Sequence, residues 1–120
     1  MNPYILVLIS IILSSLGQIL LKIGANSFTE IRLSADNFTV IIYKMIKNPS
    51  MILGVIVFAT SFFIWILSLS KLKLNIAYPL TSATFVLVSF MSVFILHEPF
   101  SFYQIIGICF IIIGIVILFQ

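Results

Sequence analysis

From Pro3 to Gly24 the chain carries a single charged residue, Lys22, and the stretches 51–70, 75–96 and 102–119 carry none. A helix needs about 20 predominantly apolar residues, at about 1.5 Å of rise each, to cross the hydrocarbon core of a bilayer. With no water there to satisfy backbone groups, only helices and closed barrels cross. The apolar runs are continuous, not alternating, so helices are expected. A soluble domain of 120 residues, 62% hydrophobic and 8% charged, has too little interior for that much apolar surface. The expected fold is an all-α membrane protein: one transmembrane domain over 1–120 with spans at about 3–24, 51–70, 75–96 and 102–119.

The opening "MNPYILVLIS" has no basic segment, and no small-residue cleavage site follows. The first span therefore reads as retained, not as a signal peptide. The basic residues are scattered at the ends of the apolar runs, which suits lipid headgroups and topology, not nucleic acid. Their balance leans slightly towards a cytoplasmic 25–49 connection. Cys109 lies mid-span without a cysteine partner in the chain and reads as a packing residue.

Two connections are short. "KLKL" at 71–74 makes the second and third spans antiparallel neighbours, and "HEPFS" at 97–101 joins the third to the fourth. Pro99 is expected to end the third helix, because the residue before a proline is steered out of the α region. Ser101 and Gln104 have capping-box spacing, flanked by Phe100 and Ile105 as a staple pair, so the fourth helix should start at Ser101. In the long connection, "FTVIIYKMIK" at 38–47 reads as a short amphipathic helix on the membrane surface, capped by Asp36 or Asn37 and stopped by "NPS". The alternative is an extension of the second span, interrupted by Pro49.

Polar residues inside the spans carry the functional signal. Ser10, Ser14, Gln18 and Lys22 are four apart and form one slowly winding stripe, with Ser15 at its edge. Lipid cannot satisfy such a stripe, so it should face protein or a cavity. A second stripe runs through Tyr78, Ser82, Phe85, Ser89 and Ser92 in the third span. Pro79, one turn inside that helix, frees a carbonyl and predicts a kink, with Thr81 and Thr84 available to re-satisfy it. This second stripe reads either as a cavity lining or as a small-residue packing face. Gly107 and Gly114, seven apart on the fourth span, read as an association surface in a dimer. Lys22 and Glu98 fall at the same membrane face. They pair with each other, or Lys22 meets an anionic ligand. A lone histidine, His97, makes no metal site and reads as an interfacial or capping residue. No nucleophile–base pair, phosphate-cradling glycine loop or metal cluster is evident, so no enzyme, metal or cofactor is expected.

The sequence resembles the small four-helix members of the drug/metabolite transporter superfamily. "MNPY", Gly17, Lys22, "NIAYP" and "IIGICFIIIGIVI" are similar to the small multidrug resistance proteins. The membrane-embedded glutamate of that family's first span is Ser14 here. A closer resemblance is to flippase subunits for aminoarabinose-phosphoundecaprenol and half-length EamA relatives. It rests on Leu13, Ser14, Gly17, Gln18 and Lys22, on Ile76–Pro79, on His97, Glu98, Pro99 and Ser101, and on Trp65-x-Leu67. The resemblance implies an inner-membrane dimer of inversely related four-helix halves, identical or paralogous, that moves a lipid-linked sugar phosphate. Ser14, Gln18, Lys22, Tyr78, Ser82 and Glu98 are then the substrate-binding candidates. A lysine among hydroxyls and an amide suits phosphate oxygens. A proton-coupled exporter of small cations and a non-transporting scaffold subunit are the alternatives.

Overall fold

The computed structural model describes residues 2–27 and 38–120, which form helices and connections only. The expected caps at Asp36 and Asn37 lie outside the described residues. Six helices follow in order among the described residues: α1 (Pro3–Asn26), α2 (Phe38–Lys47), α3 (Pro49–Leu69), α4 (Leu74–Leu80), α5 (Ala83–Ile95) and α6 (Phe102–Leu118).

Helices α1 and α3 start with the same device, an Asn-Pro pair. The Asn2 carboxamide oxygen accepts from the Tyr4 backbone N–H at 2.9 Å, and that of Asn48 accepts from Met51 N–H at 3.2 Å. Proline follows at the first helical position, where the missing N–H has no helical partner to lose and φ is already set. Asn48 separates α2 from α3 as a one-residue break, so 38–47 is a helix of its own and not an extension of the second span. The Asn48 amide nitrogen also donates to Ser27 Oγ at 2.7 Å, tying the start of α3 to the end of α1. Asn48→Ala removes cap and tie together. It should cost about 2 kcal/mol, read as a lowered unfolding temperature in detergent with helix content retained.

The closest packing joins α1 to α3, through glycine. An ideal Cβ on Gly54 would lie 2.9 Å from the Leu21 backbone nitrogen, and one on Gly17 would lie 3.0 Å from that of Phe58. The two backbones touch because neither position carries a side chain. Ser50 adds a bond across the same interface, donating to the Leu20 carbonyl at 2.8 Å. A small apolar core of Val7, Ile11 and Leu80 joins α1 to α4, with Ala83, Leu87 and Ile115 packed around it. Most remaining large apolar side chains on α3 and α6 point outwards, as expected where the solvent is lipid.

The third span is not the continuous helix expected over 75–96. Beyond Pro79 the backbone closes tight turns, with N–H groups of Thr81, Ser82, Thr84 and Phe85 each bonded to the carbonyl three residues back. This splits the span into α4 and α5 at Thr81–Ser82. The expected hydroxyl appears at the kink, where Thr81 Oγ donates to the Tyr78 carbonyl. Pro99 is also not what ends α5. The helix stops at Ile95, and His97, the one described non-glycine residue with positive φ (55°), turns the chain so that Glu98 N–H reaches Ser92 O at 3.2 Å. A left-handed residue ends a helix by itself, and here it acts two positions before the proline.

The capping box starts α6. Ser101 Oγ accepts from Gln104 N–H at 3.2 Å, and Gln104 Oε1 accepts from Ser101 N–H at 2.8 Å. Tyr4 and Phe119 have ring centroids 6.0 Å apart, which brings the start of α1 and the end of α6 to one end of the molecule. Helix α1, helix α3 and the combined α4–α5 segment are each long and apolar enough to cross a membrane. Helix α6 is apolar but shorter, at 17 residues.

Candidate functional site

A cavity of about 330 Å³ lies between α1, α3 and the broken third span. Helix α1 contributes Ser10, Ile11, Ser14 and Gln18, the inward face of the first stripe. Helix α3 contributes Phe58, Ser61, Phe62 and Trp65, and the third span contributes Tyr78, Thr81, Thr84 and Phe85. No charged side chain is among them.

The serine hydroxyl protons are already committed. Ser10 donates to Val7 O at 2.7 Å, Ser14 to Ile11 O at 3.0 Å and Ser61 to Phe58 O at 2.6 Å. Each bond folds the side chain back on its own helix, so these hydroxyls present lone pairs to the cavity. Gln18 differs. Its half-buried carboxamide makes no hydrogen bond to any described residue, leaving both donors and the acceptor open to the cavity. The aromatic wall is ordered. Trp65 stacks on Phe62 at 6.2 Å and 28°, and meets Tyr78 at 6.3 Å and 65°.

A second cleft, of about 300 Å³, opens between the start of α1, the α4–α5 segment and the end of α6. Tyr4, Val7, Leu8, Leu80, Ala83, Ile115 and Phe119 line it, an almost wholly apolar surface. Ile11 lines both cavities and stands between them.

The EamA-like transporter family model matches residues 1–120 of the sequence. The chain belongs to the EamA-like transporter family. It is similar to the probable 4-amino-4-deoxy-L-arabinose-phosphoundecaprenol flippase subunit ArnF of Proteus mirabilis, 31% identical over 98% of this chain and 91% of the relative. The ArnF subunit of Shewanella sediminis, named in the same words, is 31% identical over 93% of this chain and 83% of its own. An ArnE subunit of Pseudomonas fluorescens, named for the same flippase, is 25% identical over 96% and 95%. No solved structure matches the chain at a significant level.

In this EamA-like chain the cavity gathers Ser14, Gln18 and Tyr78 of the substrate-binding candidates, and leaves out Ser82, Lys22 and Glu98. The tight turns after Pro79 explain Ser82. They advance the chain by more than a regular helix does per residue, so Thr81 and Thr84 take the inward positions instead. Lys22 is exposed on α1, one turn or about 6 Å beyond Gln18. Glu98 is half-buried in the α5–α6 connection, and no ion pair joins it to Lys22 among the described residues. Gly107 and Gly114 are exposed, with nothing within 4 Å of where a Cβ would stand. The α3 wall went unread in the sequence. Its signal was Phe58, Ser61, Phe62 and Trp65 recurring at helical spacing, with a serine among them.

Proposed function

We propose that this chain is a transport subunit, not an enzyme, that moves a polyprenyl-phosphate-linked sugar across the inner membrane. The observation that carries this reading is the pair of cavities: a partly polar, uncharged one beside an almost wholly apolar one, with Ile11 between them. A cargo that is polar at one end and hydrocarbon at the other needs both. The names of the relatives support it.

In this reading the sugar occupies the polar cavity as a mid-membrane station. Lys22 stands at the membrane face beyond Gln18 and meets the phosphate while the headgroup is at that face, a stage separate from the one in which the sugar fills the cavity. At the opposite face, where the termini lie, the apolar cleft receives the isoprenoid tail. Tyr78 and Gln18 are the first contacts for the sugar. Ser14 lends an acceptor, and Ser82 and Glu98 act from outside the cavity. Helix α6 completes a single four-span domain over 1–120, with Gly107 and Gly114 free to meet a second subunit, identical or paralogous. The exposed apolar side chains of α2, with Lys47 Nζ 4.4 Å from the Tyr43 ring centroid, suit a helix lying in the headgroup layer.

The test is reconstitution, with every chain that co-purifies, into vesicles carrying 4-amino-4-deoxy-L-arabinose phosphate on a short polyprenol. Flipping is read as loss of sugar from reach of an external reagent. Wild-type vesicles should exchange the lipid well above the protein-free rate. Gln18→Leu, which keeps the volume and removes the amide, should slow exchange by about tenfold. Wild-type vesicles no faster than protein-free ones would overturn the reading.

A further inference from the structure

Among the described residues one buried side-chain polar atom lacks a hydrogen bond, Nε1 of Trp65. Buried donors of this kind are rare, and each asks for a partner. Trp65 lines the polar cavity, between the ring of Phe62 and the edge of Tyr78. We propose that Trp65 is a sugar-binding residue: the sugar packs its C–H face against the indole, and a turn of the ring brings Nε1–H, shielded in this structure, to a sugar oxygen.

The rest of the cavity explains why this donor matters. A sugar brings several oxygens that accept as well as donate. Ser10, Ser14 and Ser61 have sent their protons to their own helices and offer acceptors only. Donors must come from Gln18, from the Tyr78 and Thr84 hydroxyls and from the indole. Sugar C–H groups carry slight positive charge and favour the negative face of an aromatic ring. Aromatic rings beside hydroxyls and a free amide, with no net charge, are recognition chemistry for a polyhydroxylated ring, not for an isolated phosphate. The inference rests on the lipid-linked sugar reading and assigns the residue that tells sugar from carrier.

Trp65 is the only tryptophan in the chain, so its emission reports on this site alone. Purified protein, with the chains that co-purify, is titrated with two probes: 4-amino-4-deoxy-L-arabinose phosphate on a short polyprenol, and the same polyprenyl phosphate without sugar. Tryptophan in any co-purified chain is first replaced by phenylalanine. The sugar lipid should change Trp65 emission saturably, and the sugarless lipid should not. Trp65→Phe keeps an aromatic face and loses the N–H. By calorimetry it should bind the sugar lipid about tenfold more weakly and the sugarless lipid as before, while Trp65→Leu should lose more. The same emission change with both lipids, or undiminished binding by Trp65→Phe, would overturn the assignment while leaving a polyprenyl-phosphate transporter standing. Binding of neither lipid by the wild type would overturn the assignment and the flippase reading together. The wild-type comparison stands even if a variant fails to fold.

Discussion

Gly54→Leu should abolish the docking of α1 on α3 and leave no stable folded subunit. Even alanine would put a Cβ 2.9 Å from the Leu21 backbone nitrogen, and a backbone atom cannot rotate aside. Forcing one extra carbon into such a contact costs about 1–3 kcal/mol, and a leucine adds three more. Gly54→Ala should therefore lower the unfolding temperature in detergent clearly, and Gly54→Leu should fail to give a cooperative transition. The contrast is the double variant Gly107→Leu with Gly114→Leu. Nothing lies within 4 Å of either Cβ position, so the subunit should unfold as the wild type does. Only its association with a second subunit should suffer, read by cross-linking or by photobleaching steps in bilayers. A stable Gly54→Leu subunit would mean that α1 and α3 do not pack as described. An unchanged dimer fraction in the double variant would remove α6 as the association surface.

Lys22→Met should reduce lipid translocation by at least about tenfold, the loss expected for a charge-assisted contact to phosphate. Stability should hold, because Lys22 is exposed and no ion pair with Glu98 is lost. Lys22→Arg should keep part of the rate, since the charge stays and its geometry changes. Adding Glu98→Gln to Lys22→Met separates the two roles open to the lysine. If Lys22 serves the phosphate, the second change restores nothing. Recovery of both transport and thermal stability in the double variant would instead make Lys22 the partner of Glu98.

What could be read from the sequence was local. The amphipathic helix at 38–47 and the capping box at Ser101 and Gln104 depend on residues within one or two turns of each other. The α1 stripe could also be read, since its period shows which residues share a face. Ser10, Ser14 and Gln18 do line one cavity. Two things were not legible. Gly107 and Gly114 drew attention because their spacing repeats along one helix. The glycine contact that packs the fold pairs Gly17 with Gly54 across two helices, and no periodicity along the chain reveals which faces meet. The place of Ser82 outside the cavity went unread for a different reason. Helical phase was carried through Pro79 as if the helix were regular, and the tight turns beyond it rotated Thr81 and Thr84 inwards in its place. Trp65 was visible only as part of a resemblance, because an aromatic residue on an apolar helix looks the same facing lipid as facing a cavity.

Ile11 is 4% exposed and belongs to the small core with Val7 and Leu80, yet it also borders both cavities. The wall between the hydroxyl-bearing and the oily compartment is therefore one side chain thick at this point. Its volume sets a leak. A smaller residue there would open a passage for water into the hydrocarbon-lined cleft, and a larger one would push into the hydroxyl-lined space. Position 11 thus fixes how sharply polar and apolar parts of a passing molecule are kept apart, which no polar residue of the site controls.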